Sequence, residues 1–295
     1  MKPSAESTVR GERPWPDNAA TRALLSRKVF RRLQRALGPK HAFRSVRDLE
    51  LLLSLEDGFG VSKVILRDGE YDDFLCEQAA RWIEPETLAL DVGGNIGYWS
   101  VFMASRCPSA RILSFEPEPG NIALFRKNCD LNAVQDRVHL VEKAVGARPG
   151  FVELYLSPQN EGDHRTYESG EARASVRVPV TTLDDAVEEF AAGGSQRRVS
   201  FVKMDIQGYE HFALQGMTNI VQENRALVVA TEFWPRGLRM AGADPRAFLQ
   251  FYFDRGFAAQ RVLARERRLE PLAIEAAQDL CEVDSQFDLV FSRRP

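Results

Sequence analysis

The stretch Leu88-Ala-Leu-Asp-Val-Gly-Gly-Asn-Ile-Gly-Tyr-Trp-Ser100 limits what this chain can fold into more than any other. Leu88 to Val92 is a short apolar run carrying one acid, Asp91, and reads as a buried parallel strand. Gly93, Gly94 and Gly97 follow, and apolar residues then recur at helical spacing through Trp99, Val101, Phe102 and Met103. Strand, glycine turn and helix in that order place the carboxyl end of a sheet strand against a ligand. Glycine suits such a turn because it adopts backbone angles other residues resist and lets the chain approach a bound molecule closely.

The next apolar run, Ala110 to Phe115, ends in Glu116 and reads as the neighbouring strand. An acid at that tip can accept both hydroxyls of an adenosine ribose. Nicotinamide-binding folds use the same device, but their spacing is Gly-x-Gly-x-x-Gly, whereas here it is Gly-Gly-Asn-Ile-Gly, two residues after Asp91. An anion at Asp91 opposes a pyrophosphate and suits a cationic ligand with an ammonium and a sulfonium. The expected cofactor is therefore S-adenosyl-L-methionine. Val138 to Val141 reads as a third strand, with Ala144 at its exit placed against the adenine.

Composition narrows the class. The chain has 295 residues, 44% hydrophobic and 27% charged, with a formal charge of -3, which disfavours broad attachment to nucleic acid. No apolar run reaches membrane-spanning length, and Met1 to Ala20 lacks the apolar core of a signal peptide. Cys76, Cys107, Cys129 and Cys281 are scattered, as expected of reduced thiols in a cytoplasmic protein.

Three segments are expected: a polar, proline-broken tail over 1–18, a helical and hairpin extension over 19–70, and the main domain over 71–295. In the extension, Leu24, Leu25, Val29, Phe30, Leu33 and Leu37 share one helical face with arginines elsewhere. That basic helix reads as a cover for the sheet or as the contact of a homo-oligomer. Val46 to Leu55 reads as a second helix, Val61 to Leu66 as a strand and Tyr71 to Trp82 as a helix. Phe151 to Leu156 and Ala174 to Val180 read as a paired antiparallel insertion. The long polar loop between them carries Asp163, His164 and Arg165. Val199 to Met204, ending in Asp205, and Val228 to Ala230, continuing through Glu232, complete the parallel set. Phe287 to Ser292 closes the chain as a strand.

Asp91-Val-Gly-Gly-Asn-Ile-Gly-Tyr98, Phe115-Glu-Pro117, Phe201-Val-Lys-Met-Asp-Ile-Gln-Gly-Tyr-Glu210 and the glutamate of Thr231-Glu-Phe233 resemble the FkbM family of S-adenosylmethionine-dependent methyltransferases. The likeness covers roughly Tyr71 to Arg294. It implies an α/β fold of the class I methyltransferase, Rossmann-like type: a mostly parallel seven-stranded sheet with one antiparallel strand. The implied activity is O-methylation of a sugar or natural-product hydroxyl. The family's Asp-x-Glu-Gly reads Asp205-Ile-Gln207-Gly208 here, with an amide in place of an acid.

The expected cofactor site is Asp91, Gly93, Gly94, Asn95, Gly97, Glu116, Ala144 and Asp205. A hydroxyl acceptor also needs help losing its proton. His164, Asp205, Glu210 and Glu232 are the expected catalytic set, with His164 as base because an unperturbed imidazole titrates near ~6.5. Asp205, Glu210 and Glu232 are alternatively ligands of a hard divalent ion, magnesium or manganese. The expected partner is a small-molecule or glycan acceptor. Two other classes stay open: a binding protein that kept the fold without the chemistry and, less favoured, a nicotinamide oxidoreductase.

Overall fold

The computed structural model describes residues 40–194 and 196–293. The expected tail and basic helix, through residue 39, lie outside the described residues. Thirteen strands follow in chain order: β1 (His41–Val46), β2 (Leu49–Ser54), β3 (Leu88–Val92), β4 (Arg111–Phe115), β5 (Val138–Val141), β6 (Ala144–Val145), β7 (Gly150–Leu156), β8 (Ala174–Thr181), β9 (Val199–Met204), β10 (Val228–Phe233), β11 (Ala258–Leu263), β12 (Arg268–Leu272) and β13 (Phe287–Ser292).

The main sheet runs β12-β11-β13-β10-β9-β3-β4-β5. From β5 to β10 every pairing is parallel, and β13 enters antiparallel between β10 and β11. This is the class I methyltransferase arrangement, extended by an eighth strand, β12, which turns back from β11 at the edge. Period-two alternation splits each central strand between two cores. Leu88, Leu90 and Val92 face one layer with Leu113, Val202, Val229, Phe248 and Tyr252. Ala89, Ile112, Phe201 and Val228 face the other, with Trp99, Phe102 and Phe125. β3 and β9 are buried along their whole length, which is why they read as continuous apolar runs.

Two elements before the glycine turn differ from the reading of the sequence. Residues 46–55 are not helical: β1 and β2 form a hairpin with Val46 opposite Leu49. Arg47 and Asp48 between them have φ of 47° and 66°, the left-handed pair a two-residue hairpin turn requires. The free edge of β2 is satisfied by Asn128 of helix Pro119–Leu131 and by Asn132, which caps its end. Asn128 accepts from Leu52 N–H (2.6 Å) and donates to Leu52 O (3.1 Å), and Asn132 does the same for Glu50 (2.9 and 2.7 Å).

Residues 61–68 are a helix, Val61–Asp68, rather than a strand. Asp57 sets its start, accepting from Gly60 N–H (2.7 Å) and Ser62 N–H (2.9 Å). Gly69, in the left-handed region, ends it by donating to Ile65 O.

The insertion is present as expected: β7 pairs antiparallel with β8, and β6 joins β8. The loop between them is braced by Asp163, which receives Arg165 (2.7 and 3.0 Å) and Arg173 (2.6 Å). All four cysteines are buried free thiols. Among the described residues, no helix is long and apolar enough to cross a membrane.

Candidate active site

A cleft of about 850 Å³ opens at the carboxyl ends of β3, β4, β9 and β10. It is walled by the 157–173 loop and by residues around Phe59 and Tyr71. Of the expected residues, Gly93, Gly94, Asn95, Glu116, Ala144, His164, Asp205 and Glu232 line it, while Asp91, Gly97 and Glu210 do not.

The glycine turn is built by the strand ends. Gly93 N–H and Gly94 N–H both donate to Phe115 O (3.1 and 2.9 Å), tying the loop after β3 to the tip of β4. Asp205 N–H donates to Val92 O (3.0 Å), tying β9 to the same loop. Gly97, φ 86°, sits beneath the turn as the first cap of helix Tyr98–Arg106.

Glu116 is 6% exposed. One carboxylate oxygen accepts from Asn95 N–H (2.8 Å), the other from Glu118 N–H (2.9 Å). A carboxylate offers about four lone-pair sites, so roughly two are left for donors from the cleft. Burial pushes its pKa up to about 7 against those backbone bonds. A buried acid short of donors at the tip of the second strand fits the diol of an adenosine ribose.

Asp91 does not meet the cleft. It is fully buried, accepts from Ser100 Oγ (2.6 Å), and lies 3.9 Å from Lys203 Nζ. The expected direct contact with a cationic ligand is thus replaced by an internal pair, because the β3 pleat turns this side chain inward. Lys203, singular in a buried strand, reaches the cleft, donating to Gly93 O (3.3 Å) and standing 3.6 Å from Asp205. Those carboxylates hold its pKa above the ordinary lysine value although burial opposes them.

Glu210 is likewise turned away. It is fully buried, and one oxygen accepts from Ile206 N–H (2.9 Å) and Gly208 N–H (3.2 Å), closing the turn after β9. Its expected place facing the acceptor is therefore corrected to a structural one: orphan amides before a helix draw a carboxylate inward.

Asp205 and Glu232 do share the cleft, joined by Gln207, whose amide donates to both (2.8 and 3.3 Å). The Gln207 NH₂ group is thus a shared donor to the two carboxyl groups. Burial, and after it the charges of Asp205, Glu210 and Asp288, raise the Glu232 pKa well above the carboxylate range. The expected metal triad does not fit this arrangement. With Glu210 withdrawn and an N–H donor between the other two, the described residues hold no group of three His, Cys, Asp or Glu spaced for an ion.

His164 lines the cleft, but its Nδ1 accepts from Ser157 N–H (3.1 Å). Burial lowers its pKa, so the ring is neutral near pH 7 and its proton sits on Nε2. It presents a donor, not the free lone pair a base needs. The charges that bear most on it are Glu118, Asp163, Arg173 and Asp57, with neither Asp205 nor Glu232 among them.

Sequence reasoning missed the wall before the glycine turn. Phe59 is 70% exposed at the cleft's mouth, and Tyr71 lines its side. Across the cleft, Trp234 carries the Arg165 guanidinium over its ring at 5.1 Å. Only an exposed aromatic beside Gly58 and Gly60 signalled that wall in the sequence.

Residues 91–258 match the Methyltransferase FkbM domain. Methyltransferase 1 of Beauveria bassiana is 26% identical over 150 residues, 45% of this chain, and the chain spans 59% of that protein's length. The hexuronic acid methyltransferase AglP of Haloferax volcanii is 25% identical over 204 residues, 69% of this chain and 71% of that protein. Among solved structures, the O-methyltransferase TomG of Streptomyces achromogenes, in complex with SAM, aligns over 75% of this chain and 79% of its own at 14% identity and a TM-score of 0.44. The matched span includes the glycine turn, the ribose-type acid and the Asp205–Glu232 pair, so the chain belongs to the FkbM family of methyltransferases.

Proposed function

We propose that this chain is an S-adenosylmethionine-dependent O-methyltransferase acting on a hydroxyl of a saccharide or glycosylated, natural-product acceptor. The carrying observation is the placement of Glu116 and Glu232 on one cleft. They sit at the tips of β4 and β10, with β3 and β9 between, three strand spacings or roughly 14 Å apart. Glu116 receives the ribose hydroxyls, and Gly93 to Asn95 with Ala144 enclose the adenosine. When bound, S-adenosylmethionine supplies a methyl group on a positively charged sulfur, already activated toward an oxygen nucleophile. The name of the archaeal relative, which specifies a hexuronic acid, supports a sugar-like acceptor.

The protein's own work is alignment, exclusion of water and proton removal. Glu232 is the base: burial raises its pKa above the ordinary carboxylate range, which makes its ionised form a stronger proton acceptor, and Gln207 holds it in place. Asp205 orients the acceptor beside it. His164, with Nδ1 already taken by Ser157 N–H, is not the base. Phe59 and Tyr71 offer aromatic surface on which the apolar side of a sugar ring can rest.

Transfer of a labelled methyl group from S-adenosylmethionine to a panel of uronic acids, glycosides and hydroxylated metabolites tests this reading. Incorporation into an oxygen ether is the expected result. Tight S-adenosylhomocysteine binding with no transfer to any acceptor favours a cofactor-binding protein without catalysis.

A further inference from the structure

A second recess lies at the opposite end of the sheet, lined by Val221, Gln222, Arg225, Arg255 and Arg293. Its position follows from the β10–β13 register. Glu232 pairs with Asp288 at the cleft end, Val228 with Ser292 at the other, and Arg293 follows Ser292 directly. The length of β10, roughly 17–20 Å, therefore separates the recess from the methyl-transfer cleft.

Three arginines meet here, and none pairs with a carboxylate among the described residues. Part of their role is local. Arg293 donates to Asn224 O (2.9 Å) and Val221 O at the end of helix Thr218–Glu223, and Arg255 to Phe251 O (3.0 Å) near the end of helix Pro245–Phe253. Cations at helix carboxyl ends are favourable. That role uses few of the available N–H groups, since each guanidinium has five. Arg293 Nε is buried and bonded to nothing, and Arg225, exposed, has no partner among the described residues.

The ring faces are already in use: Phe257 lies 4.4 Å from the Arg293 guanidinium and Phe251 3.9 Å from that of Arg255. This leaves their N–H edges as the open bonding surface. Burial and the like charge of Arg225 hold Arg293 below its ordinary pKa, the mark of cations gathered without a counter-charge.

We propose that this recess is a binding site for a small phosphate-type oxyanion, held by Arg225, Arg255 and Arg293. A tetrahedral oxyanion accepts paired N–H bonds from guanidinium edges and relieves the repulsion among the three. Free phosphate and a phosphate monoester share this chemistry.

Isothermal titration of the full chain with inorganic phosphate, in chloride buffer of matched ionic strength, tests the site. Saturable binding of about one equivalent, unaffected by S-adenosylhomocysteine, is expected. The double variant Arg225→Gln/Arg255→Gln should weaken it about tenfold or more, with the circular dichroism spectrum and the S-adenosylhomocysteine affinity of the folded chain unchanged. A parallel titration with glucose 6-phosphate separates the sources: tighter binding than inorganic phosphate identifies an ester, weaker or equal binding identifies free phosphate. The proposal is overturned by no saturable binding in the native chain, by displacement with S-adenosylhomocysteine, or by equal binding in the double variant.

Discussion

A Cβ built on Gly93 stands 2.0 Å from the carbonyl oxygen of Asp205. The loops that follow β3 and β9 therefore touch backbone to backbone, and the same glycine has φ 87°, in the left-handed region. Its requirement comes from the protein's own packing before any ligand arrives. Gly93→Ala should cost more than the ~1–2 kcal/mol of a left-handed non-glycine residue, because the clash adds to it. Gly170, φ 78° with nothing within 4 Å of its Cβ, is the control, and Gly170→Ala should show the conformational cost alone. Urea unfolding of both variants checks the difference, and equal losses would disprove the backbone contact.

Glu116→Ala should weaken S-adenosylhomocysteine binding by roughly ten- to a hundredfold, since hydrogen bonds to a charged group contribute ~1.5–3 kcal/mol. The native protein should also show a pH dependence. Glu116 has a pKa of about 7 when buried, and ribose hydroxyls bond best to its ionised form. Affinity should therefore rise with pH up to about 7 and level off above it, a slope the alanine variant lacks. Without ligand the sign reverses for stability: the folded state holds the extra proton, so this group's contribution falls as pH rises from about 4.5 to about 7. Calorimetry across that window reads both.

Glu232→Gln should lower turnover by about 10²–10⁴-fold with cofactor affinity intact, the range of positioned base catalysis. His164→Ala should leave turnover within about tenfold, because Nδ1 is already committed to Ser157 N–H. The raised Glu232 pKa gives the rate an acid limb: activity climbs as pH rises and this carboxyl ionises. Single-turnover rates for both variants decide between the two residues, and the reverse ranking would restore the histidine as base.

Lys203→Met should be among the most destabilising single changes, about 3–5 kcal/mol, since it leaves the fully buried Asp91 without its cation. Adding Asp91→Asn should recover part of that loss. Denaturant midpoints of the single and double variants measure the coupling, and strictly additive losses would show that the pair at 3.9 Å contributes nothing.

The elements legible in the sequence are those with a local signature. β5, β9 and β13 match their apolar runs. The region before the glycine turn was misread because its signals are not local. Leu51, Leu52 and Leu53 are all buried, so the alternation that marks a half-exposed strand is missing. Beside the pairing with β1, its open edge is bonded by Asn128 and Asn132, about eighty residues away in the chain. The helix from Val61 is started by the nearby Asp57, which is itself tied to the far loop by accepting from Glu161 N–H (3.2 Å).

The sequence by itself determined the family, the sheet class and the place of the cleft, because a glycine turn flanked by two acids at strand ends has few other foldings. The tertiary structure alone decided what each charged group does there. Asp91, Glu116, Asp205, Glu210 and Glu232 are all strand-end or turn acids in the sequence, indistinguishable in kind. The pleat of β3 buries Asp91 against Lys203, orphan amides draw Glu210 inward, and Gln207 joins Asp205 to Glu232 at the cleft. Desolvation and hydrogen-bond geometry fix the role of a buried charge, and both arise from residues that are distant in the chain and adjacent only after folding.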